Sequence, residues 1–384
     1  MITIAVPSEA DKSERRVALS PETAKKFAAL GCRVRIQAGA GAGSQLSDAD
    51  YKQAGATLAK SAAETLKGAD IILTVRRPNA SALKGAAKGA VLACILDPFS
   101  GKAELSALAT AGLTVFSMEF MPRITRAQSM DVLSSQANLA GYKAVVDAAA
   151  HFGRALPMMM TAAGTVPAAR VFIMGVGVAG LQAIATAKRL GAVVTATDVR
   201  PSTKEQVESL AAKFIAVEDE EFKKAETSAG YAKEMSAAYK KKQAKLIAEH
   251  VQSQDIIITT ALIPGRPAPE LISKAMVESM KSGSVIVDLA AERGGNCAVT
   301  KPDATIEHKG VSVMGDTNLA GDLAGNASSL YARNLYAFID VMIDKEKKGE
   351  LAIDWEDDVI KGTLVAKGGK LVHPMLTGKG GGKK

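Results

Sequence analysis

Apolar residues in this chain fall in short, nearly continuous runs: ITIAV, CRVRIQAG, ADIILTV, AVLACIL and LTVFSME. Between them lie stretches with helical spacing, PETAKKFAALG and AELSALATAG among them. Runs too apolar for a half-exposed strand, alternating with helices, predict a parallel sheet covered on both faces. A longer helical segment follows, NLAGYKAVVDAAAHFGRAL, about the length needed to cross from one domain to another. After the turn-rich PMMMTAAGTVP the alternation restarts with ARVFIMGVG, AVVTATDV, KFIAV, DIIITTAL, SVIVDLA and VSVMGD, which predicts a second parallel sheet. Beyond it the pattern changes to a helix in SSLYARNLYAFIDVMIDKEK and a hairpin in DDVIKGTLVAKGGKLVHP, with a glycine pair at the turn. Because the second sheet is already complete, this tail is expected to return to the first domain. The terminal GKGGGKK reads as flexible.

Composition supports the division. With 384 residues and 47% hydrophobic content, the chain is too long for one ordinary core and able to fill two. The net charge of +8 comes from scattered lysines, with no nucleic-acid motif and no interleaving of aromatic and basic residues, so nucleic acid is not an expected partner. A basic surface facing phosphorylated small molecules or an acidic partner is expected instead. Cys32, Cys94 and Cys297 are far apart and lack metal-ligand spacing; they read as buried free thiols of a reducing compartment, and no metal is expected. The N-terminus has no basic stretch followed by an apolar core, and no run approaches the roughly 18 apolar residues of a membrane span. Neither a signal peptide nor direct membrane insertion is therefore expected.

The most informative stretch is ARVFIMGVGVAGLQAIATAKRLGAVVTATDVR. Gly175, Gly177 and Gly180 have Gly-x-Gly-x-x-Gly spacing after an apolar strand and at the start of an apolar-periodic helix; a second strand ends at Asp198, 18 residues beyond Gly180. Gly175 permits the tight turn, Gly177 lets backbone approach a pyrophosphate, and Gly180 lets helix pack on strand, so that Val178 and Ala179 open the helix toward the phosphates. Asp198 can accept from an adenosine ribose hydroxyl but would repel a 2′-phosphate, which predicts NAD(H) over NADP(H). Val199 and Arg200 follow as further cofactor-contact candidates; Arg200 suits a phosphate, but the acid precedes it. The expected fold class is α/β with two Rossmann-like domains and parallel sheets: residues 1–134 plus 325–384, and an NAD(H)-binding domain, 135–324, that includes the connecting helix.

An ordinary dehydrogenase moves a proton with the hydride and needs a poised acid or base. His151, His250, His308 and His373 lie in a helix, at the end of a lysine-rich helix, in a polar turn and before Pro374, positions that suit surface or capping roles. The segments MEFMPRITRAQSMDVLSSQANLAGY, PMMMTAAGTVPAARVFIMGVGVAGLQAIATAKRLGA and TTALIPGRPAP resemble the NAD(H)-binding component, domain I, of the proton-translocating NAD(P) transhydrogenases, over essentially the whole chain. The chain resembles the form in which that component is a separate alpha-1 subunit. Alanine dehydrogenases belong to the same superfamily and share ERRVALSP; they hold their amino acid with an arginine corresponding to Arg16 and use a lysine and a histidine. Here the matching stretches are TVRRPNA, with Arg77 near the lysine position, and ACILDPF, with no histidine.

The resemblance implies hydride transfer between NAD(H) on this chain, in the cleft between the domains, and NADP(H) on a partner subunit, coupled to proton translocation by membrane partners. It assigns Arg123, Asp131 and Ser134 to the nicotinamide carboxamide and Gln128 to the nicotinamide ribose and the incoming NADP(H), with Ser129 and Met130 in the same cofactor-gripping loop. Arg123, Gln128 and Asp131 are the catalytic candidates, acting by positioning rather than by acid-base chemistry. Arg126 and Ser135 are expected in solvated or capping roles, and Gln136 and Asn138 as caps or lining of the next helix. Gly230 and Tyr231 correspond to a mobile flap over adenosine; Gln243 and Leu262 correspond to further cofactor contacts. Lys240 to Lys242 read as a solvated helix face, and PMMMTAAGTVP as a flexible apolar turn or a dimer contact. A homodimer is implied, with a membrane subunit and an NADP(H)-binding beta subunit as partners, which places the chain at the cytoplasmic face of the inner membrane. The rival readings are an amino-acid dehydrogenase using Arg16 and a non-catalytic NAD(H)-binding regulator.

Overall fold

The computed structural model describes residues 1–223, 225, 235–344 and 346–378. Two compact units emerge, Met1–Gln136 with Ala320–Lys384, and Ala137–Leu319. Both boundaries differ from those expected at 134/135 and 324/325. Gln136 is buried in the first unit, accepting from Arg16 Nη1 at 2.9 Å and donating to the Ala327 carbonyl at 3.1 Å. Asp322 likewise faces Arg15 of the first unit.

In the first unit, β1 (Thr3–Val6), β2 (Arg33–Gln37), β3 (Thr57–Ala59), β4 (Ile71–Arg76), β5 (Val91–Ile95) and β6 (Thr114–Ser117) are parallel, in the order β6-β5-β4-β1-β2-β3. The order reverses between β1 and β4, the switch point of a doubly wound sheet. Strand alternation sends Ile4, Val6 and Leu73 into one apolar cluster and Ala5, Ile72 and Leu92 into another, so both faces are covered and the strands read as unbroken apolar runs.

The second unit opens with a small hairpin, β7 (Met159–Thr161) and β8 (Gly164–Val166), where a flexible turn was expected. Its main sheet uses β9 (Arg170–Met174), β10 (Val193–Thr197), β11 (Lys213–Phe214), β12 (Ile256–Thr259), β13 (Val285–Asp288), β14 (Thr305–His308) and β15 (Val311–Met314), in the order β11-β10-β9-β12-β13-β15-β14. Only β14 is antiparallel among these described strands. The switch point here lies between β9 and β12. Val171, Ile173 and Ile258 pack on one face, Phe172, Met174 and Ile257 on the other.

The tail does return to the first unit: β16 (Leu364–Lys367) pairs antiparallel with β6, and β17 (Lys370–Leu371) closes the hairpin over Gly368 and Gly369. The start of the expected hairpin is instead a helix, Asp358–Thr363, because the Asp357 side chain accepts from the Val359 amide and caps it. The helix Ala324–Asp340 buries Tyr331 and Phe338, and the Tyr331 hydroxyl donates to the Thr74 carbonyl at 2.9 Å. Cys32, Cys94 and Cys297 are buried free thiols, and burial pushes Cys32 up to about 11.

Asp288, at the end of β13 and fully buried, organises the carboxyl edge of the second sheet. It accepts from the amides of Ala290, Asn296 and Cys297 at 2.9, 2.7 and 3.0 Å and from the hydroxyls of Thr259 and Thr300 at 3.0 and 2.7 Å. Asp288→Ala strands these donors in the interior and is expected to cost the second unit on the order of 3 kcal/mol or more. Denaturant unfolding checks this, and a loss below about 1 kcal/mol would show that the donors find other partners.

Candidate functional site

In the second unit the chain leaves β9 at Met174 and turns at Gly175, whose φ of +99° lies in the region that favours glycine. The turn is clamped from both sides. The Gly175 amide donates to the Thr197 carbonyl at 2.9 Å, and the Thr260 hydroxyl donates to the Gly175 carbonyl at 3.0 Å. The helix Val178–Arg189 begins at once, with Gly177 as its N-cap. A Cβ on Gly180 would stand 1.9 Å from the Gly175 carbonyl oxygen, whereas one on Gly177 would meet nothing within 4 Å. The glycines at 175 and 180 are thus demanded by the protein's own packing. Gly177 is not, and its exposed position beside Val178 and Ala179 leaves the first amides of the helix open to an anion.

Sequence reasoning missed one partner of this turn. A Cβ on Gly141, inside the helix Val132–His151, would lie 2.1 Å from the Ala179 carbonyl oxygen, so the two helices touch backbone to backbone at the phosphate-facing turn. A glycine in mid-helix, costly for helix stability, was the available signal. On the same pair of helices Asn138 Nδ2 donates to Gln182 Oε1 at 3.3 Å, a contact in place of the expected cap.

Asp198 follows β10 and is almost covered. Its carboxylate accepts from the Val176 amide at 2.7 Å, the Arg200 amide at 2.9 Å, Arg200 Nε at 2.9 Å and Arg200 Nη2 at 3.0 Å. Arg200 therefore folds back onto the acid, while Val199 and Val178 stand exposed. Gln243 Oε1 accepts from the Val217 amide at 2.8 Å and its Nε2 donates to the Thr197 hydroxyl at 3.4 Å, tying its helix to the end of β10. Leu262 and Ile263 are exposed on the segment after β12, which the buried Asn296 holds: its side chain accepts from the Ala261 amide at 3.0 Å and donates to the carbonyls of Ala261 and Pro269 at 2.9 and 2.8 Å. Asn296 was not singled out from sequence, since its role is fixed by residues distant along the chain. Gly230 and Tyr231 lie outside the described residues.

The polar segment of the first unit is more ordered than a loop. Residues Thr125–Met130 form a 3-10 turn that runs into the helix Val132–His151, with Asp131 at the junction. The Asp131 carboxylate accepts from the Ser134 amide at 2.9 Å and the Ser134 hydroxyl at 2.5 Å, so Asp131 caps this helix, a role expected of Gln136 or Asn138. Arg123, Gln128 and Ser129 are exposed, whereas the Met130 side chain is buried in the core and leaves any ligand contact of that residue to its backbone. Asn334 Nδ2 donates to the Ser129 carbonyl at 2.7 Å and Asn334 Oδ1 accepts from Ser135 Oγ at 2.7 Å, fixing the segment from below. Arg126 makes a two-point pair with Asp357 at 2.6 and 2.8 Å rather than a solvated or capping role.

At the switch point of the first unit, Glu14 holds Arg16 in a fork, at 2.7 Å from Nε and 2.6 Å from Nη2, and accepts from Arg76 Nε at 3.0 Å. Arg16 is 4% exposed, and its Nη1 is given to Gln136. Although burial opposes it, pairing with Arg16 and Arg76 holds the Glu14 carboxyl below the usual range. Arg77 points elsewhere, donating to the carbonyls of Leu96, Asp97 and Ser100 at 2.8, 3.2 and 2.6 Å. Glu9 accepts from the amides of Val75 and Arg76 at 2.7 and 3.2 Å beside a cavity of about 210 Å³, and burial pushes its carboxyl up to about 7.

Models of the alanine dehydrogenase/PNT family match nearly the whole chain: the N-terminal domain over residues 5–140 and the C-terminal domain over residues 144–374. The chain belongs to the alanine dehydrogenase/PNT family. Within that family it is 53% identical to the first of the separately encoded alpha chains of the NAD(P) transhydrogenase of Rhodospirillum rubrum, over 98% of this chain and 99% of that one. The corresponding NAD(P) transhydrogenase alpha chain from Rickettsia prowazekii is 43% identical over 96% of this chain and 95% of its own. An alanine dehydrogenase from Halomonas elongata is more distant, at 31% over 96% and 94%. Among solved structures, a transhydrogenase from Sinorhizobium meliloti superposes with a TM-score of 0.88 at 55% identity, covering 97% of this chain and 100% of that one.

Gly177→Ala meets no clash and should leave stability within about 0.5 kcal/mol of wild type, yet remove most dinucleotide affinity if the turn receives a pyrophosphate. Thermal melting beside NADH titration checks both, and undiminished binding would mean that the turn is purely structural. Glu9, raised from 4.5 to about 7, favours the folded state most below its ordinary value and loses that contribution as pH rises to about 7. Wild-type stability should therefore fall through this window in a way that Glu9→Gln does not; parallel pH slopes for the two proteins would contradict it.

Proposed function

We propose that this chain is the NAD(H)-binding subunit of a proton-translocating NAD(P) transhydrogenase, passing hydride between NAD(H) held here and NADP(H) on a partner subunit. The observation that carries the nucleotide assignment is Gly177: a glycine that no internal contact requires, at the mouth of a helix whose first amides face outward next to Asp198. Those groups fit a dinucleotide. Gly177, Val178 and Ala179 would receive the pyrophosphate, Asp198 the adenosine ribose, and Val199, Leu262 and Gln243 the surrounding surface. Arg123, Gln128, Asp131 and Ser134 would orient the nicotinamide end, with Ser129 and Met130 contributing backbone. When bound, NAD(H) supplies the hydride or accepts it.

The residues named need only hold and align, because transfer between two nicotinamide rings exchanges no proton at the reacting carbons. This accords with the histidines. His250 is tucked against Phe172 and the Thr195 hydroxyl, its imidazole held below the usual range by burial; His308 meets Glu278; and His373 stacks on Phe120. The amino-acid dehydrogenase reading is disfavoured because Arg16 is already forked on Glu14 and Arg77 is spent on three carbonyls. We further propose a homodimer formed through the exposed Met158, Met159 and Met160 of the second unit, attached to the cytoplasmic face of the inner membrane by a membrane subunit and the NADP(H)-binding beta subunit. No helix among the described residues is long and apolar enough to cross a membrane.

The test is reconstitution with an NADP(H)-binding partner. Hydride exchange should appear with the partner, and NADH with pyruvate and ammonia should give no turnover; the reverse pattern would overturn the proposal. In the same assay Gln128→Asn should slow single-turnover transfer at least tenfold while changing NADH affinity less than threefold, since the shortened amide still docks but aligns poorly. A tenfold loss of binding with an unchanged transfer rate would make Gln128 only an anchor.

A further inference from the structure

The acid expected to accept the adenosine ribose has no acceptor position left. A carboxylate offers about four lone-pair directions, and Asp198 spends two on the backbone amides of Val176 and Arg200 and two on Arg200 Nε and Nη2, all between 2.7 and 3.0 Å. The amides belong to the turn itself and hold the carboxylate in place. The guanidinium does not. It is 30% exposed, lies over an acid that is 7% exposed, and is steadied on the same turn by an Nη2 bond to the Val176 carbonyl at 3.2 Å.

We propose that Arg200 is a displaceable cover on the ribose-binding edge of Asp198, exchanged for the adenosine ribose diol when NAD(H) binds; this rests on the nucleotide assignment above. The exchange is matched group for group. A guanidinium fork presents two parallel N–H donors to the two oxygens of a carboxylate, and a vicinal diol presents two O–H donors to the same two oxygens. NAD(H) therefore binds against a competing ion pair, and affinity is lower than the turn and the acid alone would give. A 2′-phosphorylated ribose cannot make the exchange: it brings no donor at the phosphorylated oxygen and adds negative charge beside Asp198. The displaced guanidinium is the cation this edge would offer such a phosphate, so removing it should sharpen the preference for NAD(H) and not only strengthen binding.

Calorimetric titration of NADH and NADPH into wild type, Arg200→Gln, Arg200→Lys, Asp198→Asn and the Asp198→Asn/Arg200→Gln double variant tests this, with thermal melting to establish that each is folded. Arg200→Gln should bind NADH roughly threefold to tenfold more tightly, with Arg200→Lys between it and wild type. The gain should vanish on the Asp198→Asn background, and NADPH should not tighten in any Arg200 variant. Weaker NADH binding by Arg200→Gln would make Arg200 a ligand contact and overturn the cover; so would unchanged binding, or a gain that survives Asp198→Asn. If wild type binds NADPH but not NADH, or neither, the nucleotide assignment falls and the cover falls with it.

Discussion

Backbone touching backbone is the constraint on which the second unit's turn depends. Gly180 brings the start of its helix against the Gly175 carbonyl, and Gly141 brings a second helix against the Ala179 carbonyl. A methyl group at either position would have to displace main chain rather than the end of a flexible side chain. Interiors packed at crystal-like density do not absorb such shifts locally. The turn is therefore fixed by three elements at once, β9 from behind, β12 through Thr260 and the helix Val132–His151 from the side. Its one unconstrained glycine, Gly177, is the one facing outward.

How much of this was legible follows from how local each determinant is. The parallel strands were readable because both sheet faces are covered, which leaves runs such as DIIITTAL and SVIVDLA almost free of polar residues. β3 and β14 were missed because three- or four-residue strands with exposed positions carry no comparable run. The glycine motif was legible since its three requirements lie within six residues. Asn296 and Asn334 were not, because each acts on a segment far away in sequence. Asp131 shows a subtler limit: an acid three residues before a serine fits both a carboxamide contact and a helix cap, and only the folded geometry reveals the cap.

The first unit repeats the doubly wound strand order of the second but fills its switch point differently. Where the second unit leaves open amides and a glycine, the first packs Glu14, Arg16 and Arg76 into one charged cluster. A buried arginine forked on a carboxylate is costly to separate, since removal of either partner leaves an unpaired charge behind. The same strand order thus supports an open crevice in one unit and a closed ionic plug in the other, as expected when side chains at a switch point, rather than the fold, decide what binds.

The outer strands of the two large sheets are short, with two residues in β17 and β11, three in β3 and four in β14. Lysine occupies the rim at Lys370 and Lys213, and Glu307 and His308 occupy it on β14. An edge of this kind presents too few consecutive main-chain donors and acceptors to template a foreign strand, and its charges must be desolvated for one to dock. The consequence is colloidal: two long, strongly apolar sheets can be carried at high local concentration without their rims becoming seeds for aggregation.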